Sequence, residues 1–82
     1  MKKILLVEDE PTINRMIYNY LVKEGYEVYN TFDGLGAIDA IKKHTFNLVC
    51  LDIMLPKMSG CDIAINLREK SNVPILMMSA LS

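Results

Sequence analysis

Two short apolar runs, each ending at an acid, constrain this chain more than any other feature. Ile4-Leu5-Leu6-Val7 leads straight into Glu8-Asp9, and Leu48-Val49-Cys50-Leu51 leads into Asp52. Unbroken runs of this length suit strands buried on both faces, as in a parallel sheet. Because each run stops at an acid, the acids of neighbouring parallel strands should emerge at the same end. Parallel α/β sheets bind their ligands in a crevice at the carboxyl ends of the strands. Three carboxylates converging there repel one another unless a hard cation joins them, and Mg²⁺ takes oxygen ligands of this kind. The pattern predicts a metal site that includes a candidate acceptor carboxylate.

Between and after the two runs, strand-like and helix-like segments alternate. Lys2–Val7 reads as a strand, and Pro11 then suits the first turn of a helix. Ile13, Ile17, Tyr20 and Leu21 give that helix one apolar face, and Gly25 closes it. Tyr26–Thr31 alternates as a second strand. Asp33 can cap a second helix reaching about Lys43, with Ala37, Ile38 and Ile41 inward. Asn47–Leu51 is the third strand. A loop at Pro56-Lys57-Met58-Ser59-Gly60 precedes a third helix, Cys61–Glu69, with Ile63, Ala64 and Leu67 inward. Val73–Met78 is the fourth strand, with Pro74 near its start, where proline is tolerated. The order β-α-β-α-β-α-β gives an α/β domain over residues 1–82, with a parallel sheet and helices on both faces. Ile75-Leu76-Met77-Met78 is apolar on both pleats and calls for cover and a further strand. The sequence therefore reads as cut short after its fourth strand.

Several function classes are disfavoured. The 82 residues carry a formal net charge of −1, which leaves no electrostatic footprint for nucleic acid or an anionic membrane. No apolar stretch approaches the length of a membrane span. Met1-Lys2-Lys3 imitates the start of a signal peptide, but the run behind it is short and Glu8-Asp9-Glu10 ends it. Cys50 and Cys61 form no C-x-x-C pair, and Cys50 reads as a buried strand thiol. A cytoplasmic location fits these features. His44 reads as a solvated residue at a helix end, and Met77 and Met78 as core. Tyr18, Tyr20, Tyr26 and Tyr29 do not interleave with basic residues as a base-stacking surface would. Gly34-Leu35-Gly36 falls short of a phosphate-cradling motif.

The chain resembles the receiver domain of bacterial two-component response regulators. The resemblance rests on Ile4-Leu5-Leu6-Val7-Glu8-Asp9-Glu10 and on Leu51-Asp52-Ile53-Met54-Leu55-Pro56 with Met58 and Gly60. Val73-Pro74-Ile75 leading to Ser79-Ala80 completes it. It implies a flavodoxin-like fold whose site lies at the switch point between the first and third strands. It also implies that Asp52 accepts a phosphoryl group from a sensor histidine kinase. By the same resemblance Glu8, Asp9, Asp52 and the backbone carbonyl of Met54 hold Mg²⁺. Ser79 matches the switch hydroxyl, Ala80 the small residue beside it, and Gly60 the glycine that shapes the loop over the site. Residues near the first helix, such as Asn14, Arg15 and Tyr18, are expected to face the kinase. Catalysis is limited to the chain's own phosphorylation and slow hydrolysis, so it is not expected to be an enzyme otherwise.

Leu51-Asp52-Ile53-Met54-Leu55-Pro56 further resembles the subgroup that precedes a winged-helix DNA-binding domain. Transcriptional output, and any DNA contact, would then belong to a domain absent from these residues. Receivers continue through a fifth strand with a phosphoryl-pairing lysine and a switch aromatic, then a last helix. Lys42, Lys43, Lys57 and Lys70 fall on predicted helix ends or loops, and only Lys57 follows Asp52 closely. The alternative reading is a non-signalling assembly element, a homo-oligomer or swapped dimer formed through the uncovered fourth strand.

Overall fold

The apolar runs become the two central strands of a four-stranded parallel sheet. The computed structural model describes residues 2–55 and 58–78. In chain order the elements are β1 (Lys3–Val7), α1 (Pro11–Lys23), β2 (Glu27–Thr31), α2 (Gly34–Lys43), β3 (Leu48–Asp52), α3 (Gly60–Lys70) and β4 (Ile75–Met78). The strands lie in the order β2-β1-β3-β4, and every pairing is parallel. Val7 sits opposite Leu51, so Glu8 and Asp52, each one residue further on, leave the sheet at the same level.

Burial on both faces explains the unbroken apolar character of β1 and β3. Leu5, Val7, Val49 and Leu51 point to one side, where they pack with Ala37, Ala40, Ile63 and Leu67 of α2 and α3. Ile4, Leu6 and Cys50 point to the other, against Ile17, Tyr18 and Leu21 of α1. Cys50 is the buried thiol expected, and that burial pushes its pKa up. β2 is an edge strand, and its alternation of exposed and half-buried residues follows from having one covered face.

The helices begin and end where local chemistry directs. α1 has Pro11 at its first position, while the Glu10 carboxylate accepts from the N–H groups of Thr12 and Ile13. Gly25, at φ 96°, supplies the left-handed residue just past its end. Asp33 caps α2 through the Gly36 N–H, and Ser59 caps α3 through the Asp62 N–H. His44 is the C-cap of α2, as its sequence position suggested.

Three expectations need correction. Tyr20 is not on the inner face of α1. It is 63% exposed, because the buried stripe is centred on Asn14, Ile17 and Leu21. β4 starts at Ile75 and not at Val73. The Val73 N–H turns to Ser71 Oγ, and Pro74 contributes only its carbonyl, to the Val49 N–H. β3 extends one residue further than expected, so Asp52 itself ends the strand. No helix among the described residues is long and apolar enough to cross a membrane.

This packing separates two α1 and β1 substitutions cleanly. Leu5→Ala, at a fully buried position, should cost about 2–5 kcal/mol in urea unfolding. Tyr20→Ala should change stability by no more than about 0.5 kcal/mol, as expected of a surface site.

Candidate metal and acceptor site

At the carboxyl end of the sheet the chain brings Glu8, Asp9 and Asp52 together. One carboxylate oxygen from each lies within 4.8 Å of the others. Glu8 and Asp52 are buried, at 3% and 2% exposure, while Asp9 is half-buried. Each buried acid has one oxygen anchored locally. The Glu10 N–H donates to Glu8 Oε2 at 2.9 Å, and the Met54 N–H donates to Asp52 Oδ1 at 3.0 Å. These bonds fix the carboxylate planes and leave the second oxygen of each for another partner.

Crowding of like charges shows in the electrostatics. Burial first, and then the charge of nearby Asp52, together raise the pKa of Glu8 from 4.5 to about 7, against the lowering effect of the Glu10 N–H. A buried carboxylate beside two others is stable only if protonated or joined to a cation. An all-oxygen set of two buried acids and one half-buried acid, opening onto solvent, suits Mg²⁺, which keeps several waters and takes few protein ligands. The residues present therefore fit the metal that the sequence led us to expect.

Asp9 and Met54 border an open cleft of about 580 Å³, completed by Ile53, Leu55, Met58, Ser59 and Asp62. Met54 is 64% exposed at the edge of this cleft. Gly60, next to Ser59 of this lining, lies in close backbone contact with Asp52 and Ile53. Its N–H donates to the Ile53 carbonyl at 2.8 Å, and a Cβ there would lie 2.5 Å from the Asp52 carbonyl oxygen. α3 can start against the acid-bearing strand only because that atom is missing. Ser79, Ala80, Pro56 and Lys57 lie outside the described residues.

Sequence reasoning missed how the acidic turn is held. Of three consecutive acids, Glu8 and Asp9 face the site, while Glu10 turns away to cap α1. Asn14, expected on the surface, is fully buried; of the three α1 residues expected to face a kinase, Arg15 is exposed and Tyr18 half-buried. The Asn14 amide donates to the Glu8 and Thr31 carbonyls, and its oxygen accepts from Asn30. The signal was legible: Asn14 falls on the same helical stripe as Ile17 and Leu21, where a polar side chain needs buried partners.

Comparison with known proteins agrees with the geometry. The family described as response regulator receiver domain matches residues 4–82. The chain is 47% identical over 76 residues to the uncharacterized transcriptional regulatory protein YcbL of Bacillus subtilis, covering 93% of this chain and 34% of that protein. It is 42% identical over 81 residues to the probable transcriptional regulator ycf27 of Porphyridium aerugineum, covering 99% and 34%. The chain thus spans about a third of the length of these curated relatives. Among solved structures it is similar to the response regulator protein TrrA of Thermotoga maritima in complex with Mg²⁺-BeF. That match has a TM-score of 0.93 at 36% identity and covers 100% of this chain and 72% of that one. TrrA in complex with histidine kinase ThkA gives a TM-score of 0.92 at the same identity, with 100% and 72% covered.

The raised Glu8 pKa has a definite consequence for the metal-free protein. Between about pH 4.5 and 7 the folded state holds a proton that the unfolded chain releases, so stability falls as pH rises through that window. Mg²⁺ competes with the same proton. It should therefore raise the melting temperature more at pH 8 than at pH 5.5, and Glu8→Gln should flatten the metal-free pH dependence in this range. Thermal melts at the two pH values, with and without Mg²⁺, check both statements.

Proposed function

The chain belongs to the response regulator receiver domain family, and on that premise we propose that it accepts a phosphoryl group on Asp52 from a sensor histidine kinase. The observation that carries this reading is the convergence of Glu8, Asp9 and Asp52 beyond two neighbouring parallel strands. In the proposed step an Asp52 carboxylate oxygen attacks phosphorus, an O–P bond forms, and the N–P bond to the donor imidazole breaks. The Met54 N–H keeps Oδ1 occupied, so Oδ2 is the natural nucleophile. Glu8, Asp9, Asp52 and the Met54 carbonyl would hold the Mg²⁺ in this reading. When bound, the metal supplies positive charge that offsets what builds up on the transferring oxygens.

Phosphorylation adds about −1.5 to −2 charges and strong acceptor oxygens, so a nearby hydroxyl can respond to it. Ser79 is the proposed responder. For the whole protein the reading is transcriptional regulation in the cytoplasm, with DNA contact made by a separate domain; the names of the curated relatives support its transcriptional part. The chain is a phosphoacceptor in this reading, turning over at most its own phosphoryl group. Self-association through β4 has no comparable support and leaves the buried acid cluster without a purpose.

Incubation with Mg²⁺ and a small acyl phosphate, followed by intact mass, tests the central claim. One phosphoryl adduct is expected on the chain, none on Asp52→Asn, and none after chelation of the metal. An adduct that survives Asp52→Asn would place the acceptor elsewhere, and no adduct on the unaltered chain would reject the reading.

A further inference from the structure

Holding Glu8 and Asp9 against Asp52 requires a restraint that the sheet does not supply. The β1 ladder ends with Val7 opposite Thr31 and Leu51, so Glu8 is the first residue past regular pairing. Its N–H still reaches the Thr31 carbonyl at 3.1 Å. Its carbonyl belongs to the peptide joining Glu8 to Asp9, and the plane of that peptide sets the direction in which both acids leave the backbone. This is the group that Asn14 grips.

We propose that Asn14 is a positioning residue for the metal site: its buried amide holds the Glu8–Asp9 peptide and so presets the two acids for Mg²⁺. The inference rests on the receiver reading above. Asn14 is 0% exposed, and its Nδ2 donates to Glu8 O at 2.9 Å and to Thr31 O at 3.0 Å. Asn30 Nδ2 donates to Asn14 Oδ1 at 3.0 Å, which fixes the orientation of the amide. The flipped orientation would set an oxygen against two carbonyl oxygens and an amide donor against another donor. α1 is thereby tied to the ends of β1 and β2 together.

The chemistry demands an amide at this point. Two donors must meet two carbonyls, with one acceptor on the same planar group, and among similar side chains only asparagine offers that. Aspartate has the shape but lacks the donors, and leucine has the shape and no polarity. Docking α1 alone would be served by leucine without the desolvation cost of a buried amide. Glu10 reinforces the arrangement, since its side chain caps α1 while its N–H holds Glu8 Oε2. The acidic turn is thus held at the Glu8 carbonyl and at the Glu8 side chain by α1 and its cap.

The test measures the Mg²⁺ dissociation constant by calorimetry, together with metal-free thermal stability, for the unaltered chain, Asn14→Leu and Asn30→Ala. Positioning predicts that Asn14→Leu weakens Mg²⁺ binding about 10-fold or more, the scale seen when partners that orient metal ligands are lost. Asn30→Ala should weaken it in the same direction by less. The phosphorylation rate at saturating Mg²⁺ should be retained while the half-saturating concentration rises. A merely structural role would lower the melting temperature and leave the dissociation constant unchanged. A folded Asn14→Leu that binds Mg²⁺ as the unaltered chain does overturns the inference and spares the receiver reading. Should Asn14→Leu not fold, an unchanged dissociation constant in Asn30→Ala overturns it instead. An unaltered chain that neither binds Mg²⁺ nor takes a phosphoryl group would overturn both.

Discussion

Everything distinctive about this molecule depends on the register between β1 and β3. Pairing Val7 with Leu51 carries Glu8 and Asp52 to one level at the rim of the sheet, where neither can avoid the other. A slip of one residue would exchange Leu5 and Val7 for Ile4 and Leu6 between the two packed faces and break the fit of both cores. The hydrophobic core therefore enforces an electrostatically unfavourable juxtaposition. Leu5, Leu6, Val7, Val49 and Leu51 are all fully buried, and each contributes about 1.5–3 kcal/mol on removal from water. The rise in the Glu8 pKa from 4.5 to about 7 corresponds to about 3 kcal/mol at most, for one group. Burial is the larger cause of that rise and the Asp52 charge a smaller one. The core wins by a wide margin, and the unfavourable setting of Glu8 is retained as a local property of the site.

Much of this was legible in the sequence because the strongest signals were local. Runs of four apolar residues, Pro11 at a helix start and Gly25 at its end each have one dominant physical meaning. The three site acids were legible for the same reason, since two-sided burial ending abruptly at a carboxylate is an uncommon pattern. Less was legible where two side chains compete for one helical face. Asn14 lies on the buried stripe of α1 and Tyr20 lies outside it, whereas hydrophobicity alone assigns the inner place to the tyrosine. What reverses that order is the pair of carbonyls at the ends of β1 and β2, which only the assembled sheet brings within reach of one amide. The start of β4 was misplaced for a related reason. Val73 is buried, as a strand residue would be, yet its N–H is claimed by Ser71 and not by a neighbouring strand.

Gly60 and the N-terminus of α3 complete the enclosure of the site from the far side. The helix begins so close to the Asp52–Ile53 backbone that a single methyl group would collide with main-chain atoms that cannot move aside. Its Ser59 cap lines the same cleft as Asp9 and Met54. Asp52 is thus bounded by α3 on one side and by the Glu8–Asp9 turn on the other. Each boundary is set by backbone contact and hydrogen bonding, which hold position more tightly than a loop of exposed side chains.

That construction bears on how a site made of repelling charges stays usable. Left to themselves, three carboxylates would turn outward to solvent and lose their common focus. Here Glu8 is held through its own side chain by the Glu10 N–H, through its N–H by Thr31, and through its carbonyl by Asn14. Asp52 is held by its strand and by the Met54 N–H. None of these restraints neutralises charge, so the demand for a cation or a proton persists undiminished while the geometry stays fixed. Preorganisation of this kind is what lets a small hard cation bind with few protein ligands, because little ordering remains to be done when it arrives.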